Sequence, residues 1–449
     1  MVAFSSAFFP RVLTLLKFPS IINLAHYGVV IWACGFILLK TRVKDRKQII
    51  IVQELVVAVL IFFTINVASA LLNEAGLINA CLNTLFFCEH FLLLIAIISL
   101  PLTLEKLAWL RGYIIFASFT NTIFAYVQRY ILNLHLRGGL AENIKGVFIG
   151  GGAGHVVGAS VALTFGIYYF SAAKQLPLWF RVFIAFVTFW HMNLADAKQV
   201  LLVFGVAGIC LLVLKLGDIV EAIKYLSIGV LLATMFFWAV QNVEALGAFR
   251  TWLRPEIYGP EGEATLLKMA TFRVVSDFHE SFLHPWLGLG PGHTVGRLGG
   301  WMVWQYDFLL QPLGSTTHPA SIAVWRAVGE SWLGDQSSMF SPFFGWAGIW
   351  GDLGWLGLAS FIYIWFVVWQ RICFDDVSKF LALTPLIFGL ILTQMEEPGY
   401  MLYVATILGL RWQEHHCRNT GKISPRVLPP KRTNPRSIKG RLQAILLLK

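Results

Sequence analysis

The feature that most constrains the fold is a series of long apolar runs that recurs along most of the chain. An α-helix needs about 20 apolar residues to cross a bilayer, and these runs are of that order. Only 13% of the residues are charged, against roughly a quarter in soluble domains. The runs are continuous, whereas strands of a membrane β-barrel alternate between apolar and polar residues. We therefore predict an all-α polytopic membrane protein with about 11–12 transmembrane helices.

The predicted spans follow from the positions of these runs, and the N-terminal segment supplies a twelfth span if it also inserts. Otherwise we expect that segment, which is interrupted by Pro10 and Pro19, to lie along the membrane interface. The predicted spans are residues 21–39, 49–72, 81–102, 112–132, 146–170, 178–194, 200–214, 225–243, 344–369, 380–393 and 400–410.

The distribution of basic residues predicts which side of the membrane each loop occupies. Residues 40–47, KTRVKDRK, carry five basic residues against one acid and are predicted to be cytoplasmic. Residues 411–449 are basic and proline-rich, with the single acid Glu414. We predict a disordered cytoplasmic tail that contacts anionic lipid and does not bind nucleic acid.

The longest polar segment, residues 244–343, divides the chain. Its acids slightly outnumber its bases, which favours the extracytoplasmic side. A connection of this length is expected to contain short helices and to carry a function. The predicted organisation is an N-terminal helix bundle (1–243), a large extracytoplasmic loop (244–343), C-terminal transmembrane helices (344–410) and the tail (411–449).

Within this loop, Arg273, Asp277 and Glu280 fall on one face of a predicted helix. On these residues alone, an ion pair between Arg273 and Asp277 is the favoured interpretation. The sequence HPWLGLGPGH follows, and its alternating glycines allow positive φ angles and a close approach of a ligand to the main chain. These glycines are Gly288, Gly290 and Gly292.

Further along the loop, His318, Arg326 and Asp335 are interleaved with four tryptophans. Aromatic faces with polar groups suit a carbohydrate site, and they equally suit a loop that rests on the membrane interface. The loop contains no metal-binding motif and the cysteines no CxxC pair, so neither a metal-dependent mechanism, a disulfide framework nor a cofactor is expected.

A second polar interruption, Asp196 and Lys198, lies between two predicted spans. Charges at this depth usually pair or line a cavity. Because residues two apart do not face each other on a helix, we expect one of the two to point elsewhere. Lys198 would then contact either an anionic ligand or a structural partner.

Four motifs together resemble the superfamily of O-antigen ligases and O-antigen polymerases, which are polytopic glycosyltransferases of the GT-C type. Residues 146–151 read GVFIGG, residues 195–198 read ADAK, Arg273 precedes PWLGLGPG at residues 285–292, and residues 351–357 read GDLGWLG. Many members have a His-Asn pair shortly before the last motif. This chain reads DQSSMFSP at residues 335–342 instead, so the family's histidine is not matched.

The resemblance implies a substrate, a site and partners. The substrate would be an undecaprenyl-diphosphate-linked glycan, with Arg273 and Lys198 stabilising the diphosphate as it leaves. An acceptor hydroxyl would attack with inversion of configuration, and the candidate bases are His318, His284 and Asp335. Partners would be the lipid bilayer, a chain-length regulator and a flippase. The candidate substrate-binding residues are Asp277, Gly288, Gly290, Gly292, Arg326 and Trp286.

The expected function is polymerisation of exopolysaccharide or O-antigen repeat units on the extracytoplasmic face of the bacterial plasma membrane. The first alternative is a ligase that transfers the glycan to lipid A core or to protein. The second, from a different class, is a flippase or transporter of lipid-linked glycans. The absence of an internal repeat argues against it.

Overall fold

The computed structural model describes residues 1–14, 17–41, 45–139, 141–150, 153–215, 219–243, 255–334 and 338–419. These residues form helices and turns and contain no strand, which confirms the all-α prediction. Of the predicted tail (411–449), residues 411–419 belong to the last helix, Pro398–Asn419, and the remainder lies outside the described residues, as does the candidate base Asp335. The α-helices are α1 (Val2–Phe8), α2 (Pro10–Leu13), α3 (Ala25–Lys40), α4 (Arg46–Leu72), α5 (Leu77–Ser99), α6 (Leu104–Tyr126), α7 (Gly154–Ala172), α8 (Leu178–Leu194), α9 (Lys198–Val213), α10 (Ile219–Asn242), α11 (Pro255–Tyr258), α12 (Glu263–Lys268), α13 (Ala270–Ser276), α14 (His284–Leu287), α15 (Val303–Gln305), α16 (Asp307–Leu310), α17 (Pro319–Glu330), α18 (Gly345–Arg371), α19 (Asp376–Phe388) and α20 (Pro398–Asn419).

Five helical segments of the described chain are long and apolar enough to cross a membrane. These five segments support the prediction of a membrane protein, but they are fewer than the 11–12 predicted spans. Three of the other predicted spans correspond to shorter helices: α8, α9 and α19 have 17, 16 and 13 residues. The five segments are Ile21–Lys40, Arg46–Leu72, Leu77–Ser99, Gly154–Ala172 and Gly345–Arg371.

Acidic residues fix the starts of two helices at one end of the bundle. Before α4, Asp45 accepts hydrogen bonds from Lys47 N (2.9 Å) and Gln48 N (3.4 Å). Before α19, Asp375 accepts one from Ser378 N (2.9 Å). Such caps satisfy amide groups that have no partner inside the helix.

An aromatic cluster packs α4, α5 and α18 together. The ring of Phe361 lies 5.7 Å from Phe62, 5.4 Å from Phe87 and 6.1 Å from Phe91, measured between ring centroids. All four side chains are buried. Within a bilayer, close packing of this kind and interhelical hydrogen bonds hold helices together, because lipid tails are as apolar as the side chains.

Helices α11 to α17 are all short and lie in the segment between α10 and α18, as the sequence predicted for its large loop. Lys268 ties this segment to the helical bundle. Its Nζ donates hydrogen bonds to Ser341 O (3.0 Å) and Ile391 O (2.7 Å), and it lies 4.3 Å from the ring centroid of Phe344. The side of the membrane on which the segment lies stays a prediction.

A glycine-rich turn joins the same segment to α18. Leu289 N donates to Gly351 O (2.8 Å) and Gly290 N to Asp352 O (3.0 Å). Gly354 interrupts α18 with φ +64° and ψ −160°, which places its main chain against Trp286. A Cβ atom at Gly354 would lie 2.4 Å from the carbonyl carbon of Trp286. The two segments in contact, residues 285–292 and 351–357, are two of the motifs on which the family resemblance depends.

Replacing Gly354 with alanine is expected to destabilise the detergent-solubilised protein by about 2 kcal/mol or more, through strain at positive φ and overpacking. Thermal unfolding followed by size-exclusion chromatography measures the change. The matched control is Gly205→Ala, because a Cβ atom there meets no atom within 4 Å. The control should be neutral or slightly stabilising. Equal melting temperatures for Gly354→Ala and the wild type would contradict this account of the turn.

Candidate functional site

A cavity of about 750 Å³ lies where several distant parts of the chain meet. Its wall is formed by the N-terminal segment with the start of α3, by residues 295–306, by the segment that leads into α20 and by residues around the start of α7. Phe86, Trp325 and Phe343 also contribute to the wall. The charged lining residues include Arg11, Arg297 and Glu397, and the aromatic ones include Trp301 and Tyr306.

At its centre, Glu397 pairs with two arginines. Glu397 Oε1 accepts a hydrogen bond from Arg11 Nη2 at 2.6 Å, and Glu397 Oε2 accepts one from Arg297 Nη1. The exposed fractions of the Arg11, Arg297 and Glu397 side chains are 15%, 13% and 10%. We call these three residues the double-arginine centre. It carries two positive charges and one negative charge.

Local sequence explains how the centre is positioned. Pro10 starts the four-residue α2, which carries Arg11. Pro398 starts α20, and a residue before proline disfavours the helical conformation, so Glu397 is extended with φ −90° and ψ 108°. Arg297 immediately precedes the π-helical turn Leu298–Met302.

Asp352 holds the segment that precedes Arg297 in place through hydrogen bonds. Its carboxylate accepts hydrogen bonds from Gly292 N (2.7 Å), Thr294 N (2.9 Å) and Thr294 Oγ1 (2.6 Å). Asp352 is fully buried on α18, so these bonds replace its lost contact with water. The arginine is therefore presented from a rigid support.

The adjacent carboxyl, Glu396, has a different environment. Its Oε2 accepts from Arg297 N at 2.6 Å, while its Oε1 is buried with no partner among the described residues. Burial raises the pKa of Glu396 to about 8, against the opposing effect of Arg297. Burial would also raise the pKa of Glu397, but Arg11 and Arg297 outweigh it and lower that pKa. At neutral pH, Glu396 is therefore mainly protonated and Glu397 ionised.

Two more polar atoms near the centre lack partners among the residues described. They are Gln394 Nε2 and Arg297 Nε, both buried and both on side chains that line the cavity. Buried polar groups in proteins are nearly always hydrogen-bonded, and each exception needs an explanation. Donors beside two guanidinium groups suit an anionic ligand rich in acceptor oxygens.

The wall of the cavity also offers aromatic and apolar surface. The guanidinium carbon of Arg297 lies 5.5 Å from the ring centroid of Trp301 and 5.7 Å from that of Phe86. Trp301, Trp325 and Tyr306 line the same space. The arrangement can bind a phosphate or diphosphate at the arginines and a flat, partly apolar group against the aromatic rings.

The sequence candidates near α13 lie elsewhere. Arg273 is exposed and forms no ion pair with Asp277, so the predicted ion pair was wrong. Neither residue lines the cavity, and the same holds for the exposed Arg326 and Trp286. The role of Arg273 as a diphosphate clamp stays a prediction.

The two candidate histidines cap local structure. His284 Nδ1 accepts hydrogen bonds from Glu280 N (3.0 Å) and Ser281 N (3.2 Å), and His318 Nδ1 accepts one from Ala320 N (3.1 Å). Neither residue lines the cavity. In the part of the chain that the structure describes, no group of three or more His, Cys, Asp or Glu side chains could hold a metal ion.

The predicted positive φ angles of Gly288, Gly290 and Gly292 are confirmed, at +71°, +106° and +71°. The groups that approach these glycines belong to the protein. Cβ atoms added there would meet Asp352 at 2.3 Å, His293 at 2.8 Å and Leu298 at 2.7 Å. These glycines therefore serve close packing within the protein.

For Lys198, the expectation that it and Asp196 face different partners was wrong. Lys198 Nζ lies 2.7 Å from Asp196 Oδ1. Asp196 has φ +51° and lies in the turn before α9, so helical spacing does not apply to the pair. Lys198 does not line the cavity.

Sequence reasoning missed Arg11, Arg297 and Glu397. It predicted that the N-terminal segment lies along the interface or inserts, and it gave no function to residues 394–398, which lie between the last two predicted spans. The available signal was a charged residue inside the apolar run AFFPRVL and a carboxyl pair beside a predicted span, since charges next to membrane segments often mark functional sites.

No protein-family model matches the sequence, and neither a curated protein nor a solved structure matches it. The resemblance to the O-antigen ligase and polymerase superfamily therefore depends on the four motifs and stays a prediction.

The two adjacent carboxyls are expected to respond to pH in opposite ways. Because folding raises the pKa of Glu396 from 4.5 to about 8, its contribution to stability is full below about pH 4.5 and is lost as the pH rises through 8. Glu396→Gln should therefore flatten the decline of melting temperature between pH 5 and about 9. Glu397 has a lowered pKa, so its contribution is lost only in acid.

Glu397→Gln is the matched comparison, and it should cost about 3 kcal/mol at neutral pH by leaving buried arginines unpaired. Melting curves of both variants across this pH range provide the measurement. If Glu396→Gln declined as steeply with pH as the wild type, the assignment of a protonated Glu396 would be wrong.

Proposed function

We propose that this protein is a membrane glycosyltransferase that polymerises oligosaccharide repeat units carried on a lipid diphosphate. One observation carries the proposal: Arg11 and Arg297 present their guanidinium groups in the wall of a single cavity, beside Trp301 and Tyr306. Guanidinium groups bind phosphate oxygens in a bidentate manner. The aromatic rings suit the C–H faces of a sugar.

The chemistry follows from these groups. An acceptor hydroxyl attacks the anomeric carbon, and the diphosphate departs with the electron pair of the broken C–O bond. The two arginines stabilise the charge that develops on the diphosphate, so a metal ion is not required for this step. Attack from the face opposite the leaving group inverts the configuration. Arg11 and Arg297 thereby take the roles that the sequence suggested for Arg273 and Lys198.

The surroundings of the cavity favour a lipid-linked donor over a soluble nucleotide sugar. Apolar side chains of the N-terminal segment, the turn before α3 and α7 line part of the wall, including Ala7, Leu24 and Val157. Two of the contributing elements, Ile21–Lys40 and Gly154–Ala172, are long and apolar enough to cross a membrane. A polyprenyl chain can therefore lie against the helices while its diphosphate reaches the arginines. We place this reaction on the extracytoplasmic face of the bacterial plasma membrane.

The test is mass analysis of lipid-linked glycans in cells from which the gene has been deleted and in which a variant of the protein is then expressed. Arg297→Gln and Arg11→Gln are expected to leave single repeat units on the lipid and to reduce polymer by about 100-fold, as for removal of one group that stabilises developing charge. Arg273→Gln is the matched control, since Arg273 is exposed and outside the cavity. It should give nearly normal polymer.

Other outcomes identify the alternatives. Full-length polymer that remains on the lipid would indicate a ligase, and repeat units trapped in the cytoplasm would indicate a flippase. Loss of polymer in Arg273→Gln together with normal polymer in Arg297→Gln would indicate that the diphosphate binds to Arg273 on α13 and not to Arg297. All variants must be compared at equal amounts of monodisperse protein.

A further inference from the structure

The wall of the cavity contains a buried histidine that is oriented by a carboxylate. His26 lies at the start of α3, and its Nδ1 is 2.7 Å from Glu89 Oε1 and 2.9 Å from Glu89 Oε2 on α5. The two residues are 1% and 3% exposed. His26 lines the same cavity as Arg11 and Arg297.

This geometry determines which nitrogen of the ring remains for a ligand. A carboxylate that accepts from Nδ1–H fixes the imidazole in the tautomer whose Nε2 is an acceptor. Nε2 of His26 has no hydrogen bond to any residue that the structure describes. A side chain in this state can accept a proton from a hydroxyl group placed in the cavity.

The charged and titratable groups around His26 come from several elements. Glu89 faces it from α5, and the ring of Tyr27 lies 4.0 Å away, between centroids, on α3 itself. Glu397, which precedes α20, is close enough for its pKa to be affected by His26. Arg11 and Arg297 both form ion pairs with Glu397. The imidazole thus lines the same cavity as the double-arginine centre.

A purely structural role is the competing interpretation, in which His26 and Glu89 only link α3 to α5. The buried His416 also faces a carboxylate, with its Nε2 3.1 Å from Asp45 Oδ2, but it does not line the cavity. His90 and His191 are buried as well and do not line the cavity either. His26 differs from these three in combining an orienting carboxylate with a place in the cavity wall.

We propose that His26 is the general base of the transfer reaction and that Glu89 is its positioning residue. This assignment rests on the proposed function. The acceptor hydroxyl forms the new C–O bond at the anomeric carbon while its proton passes to Nε2 of His26. The bond from the anomeric carbon to the diphosphate breaks, and its electron pair leaves with the diphosphate at Arg11 and Arg297. Glu89 stabilises the imidazolium that forms through its contact with Nδ1.

The test measures kcat and KM against pH for the full-length protein in lipid vesicles, with a lipid-diphosphate-linked repeat unit as substrate. The wild-type rate should fall in acid, because protonated imidazole cannot accept a proton. His26→Gln should lower kcat by about 100-fold or more, leave KM nearly unchanged and remove the acid fall. Glu89→Gln should lower kcat by about 10-fold or more, since a misoriented base is less effective.

His90→Gln is the matched control. His90 follows Glu89 on α5, is as buried as Glu89 and does not line the cavity. The kcat and pH profile of His90→Gln should therefore match those of the wild type. A second readout is rescue: added imidazole should restore pH-dependent turnover to His26→Gly, which a structural role would not produce.

The proposal is overturned if folded His26→Gln keeps the wild-type kcat and its fall in acid. If no His26 variant gives monodisperse protein, Glu89→Gln decides, and an unchanged kcat and pH profile overturns the assignment. An inactive wild-type protein is a different result, because it counts against the proposed function and not against His26 alone.

Discussion

The carboxylate of Glu397 between Arg11 and Arg297 is the interaction on which the cavity depends. Two guanidinium groups with little exposure to water would be costly to bury without a counterion. Glu397 supplies it and in doing so joins the N-terminal segment, the turn before Leu298–Met302 and the start of α20. A ligand with more negative charge than one carboxylate can compete for the same two arginines, which is why the centre suits a diphosphate.

A second constraint fixes the position of Arg297. Gly354 breaks α18 so that its main chain meets Trp286, and Asp352 on the same helix accepts from Gly292 N and Thr294 N. The glycine turn is therefore fastened to a helix long enough to cross the membrane. These contacts position the segment that precedes Arg297.

Part of this architecture could be predicted from the sequence. Long apolar runs predicted helices because a buried backbone must satisfy its own hydrogen bonds, and alternating glycines predicted positive φ. Five described segments are long and apolar enough to cross a membrane, against 11–12 predicted spans, so the number of spans stays a prediction. The double-arginine centre could not be found from one sequence, because Arg11 and Glu397 are 386 residues apart and nothing local indicates their contact. Local spacing also failed at Asp196 and Lys198, where a turn replaced the assumed helix.

The central claim is that Arg11 and Arg297 form a binding site for a lipid diphosphate. Its most direct test is the affinity of the full-length protein in nanodiscs for a short-chain prenyl diphosphate and for the matching prenyl alcohol. Two charge-assisted contacts predict a preference for the diphosphate of about 100-fold or more. The double variant Arg11→Gln with Arg297→Gln should abolish this preference, and Arg273→Gln should retain it. Equal affinity of the wild type for the two ligands, or an unchanged preference in the double variant, would contradict it.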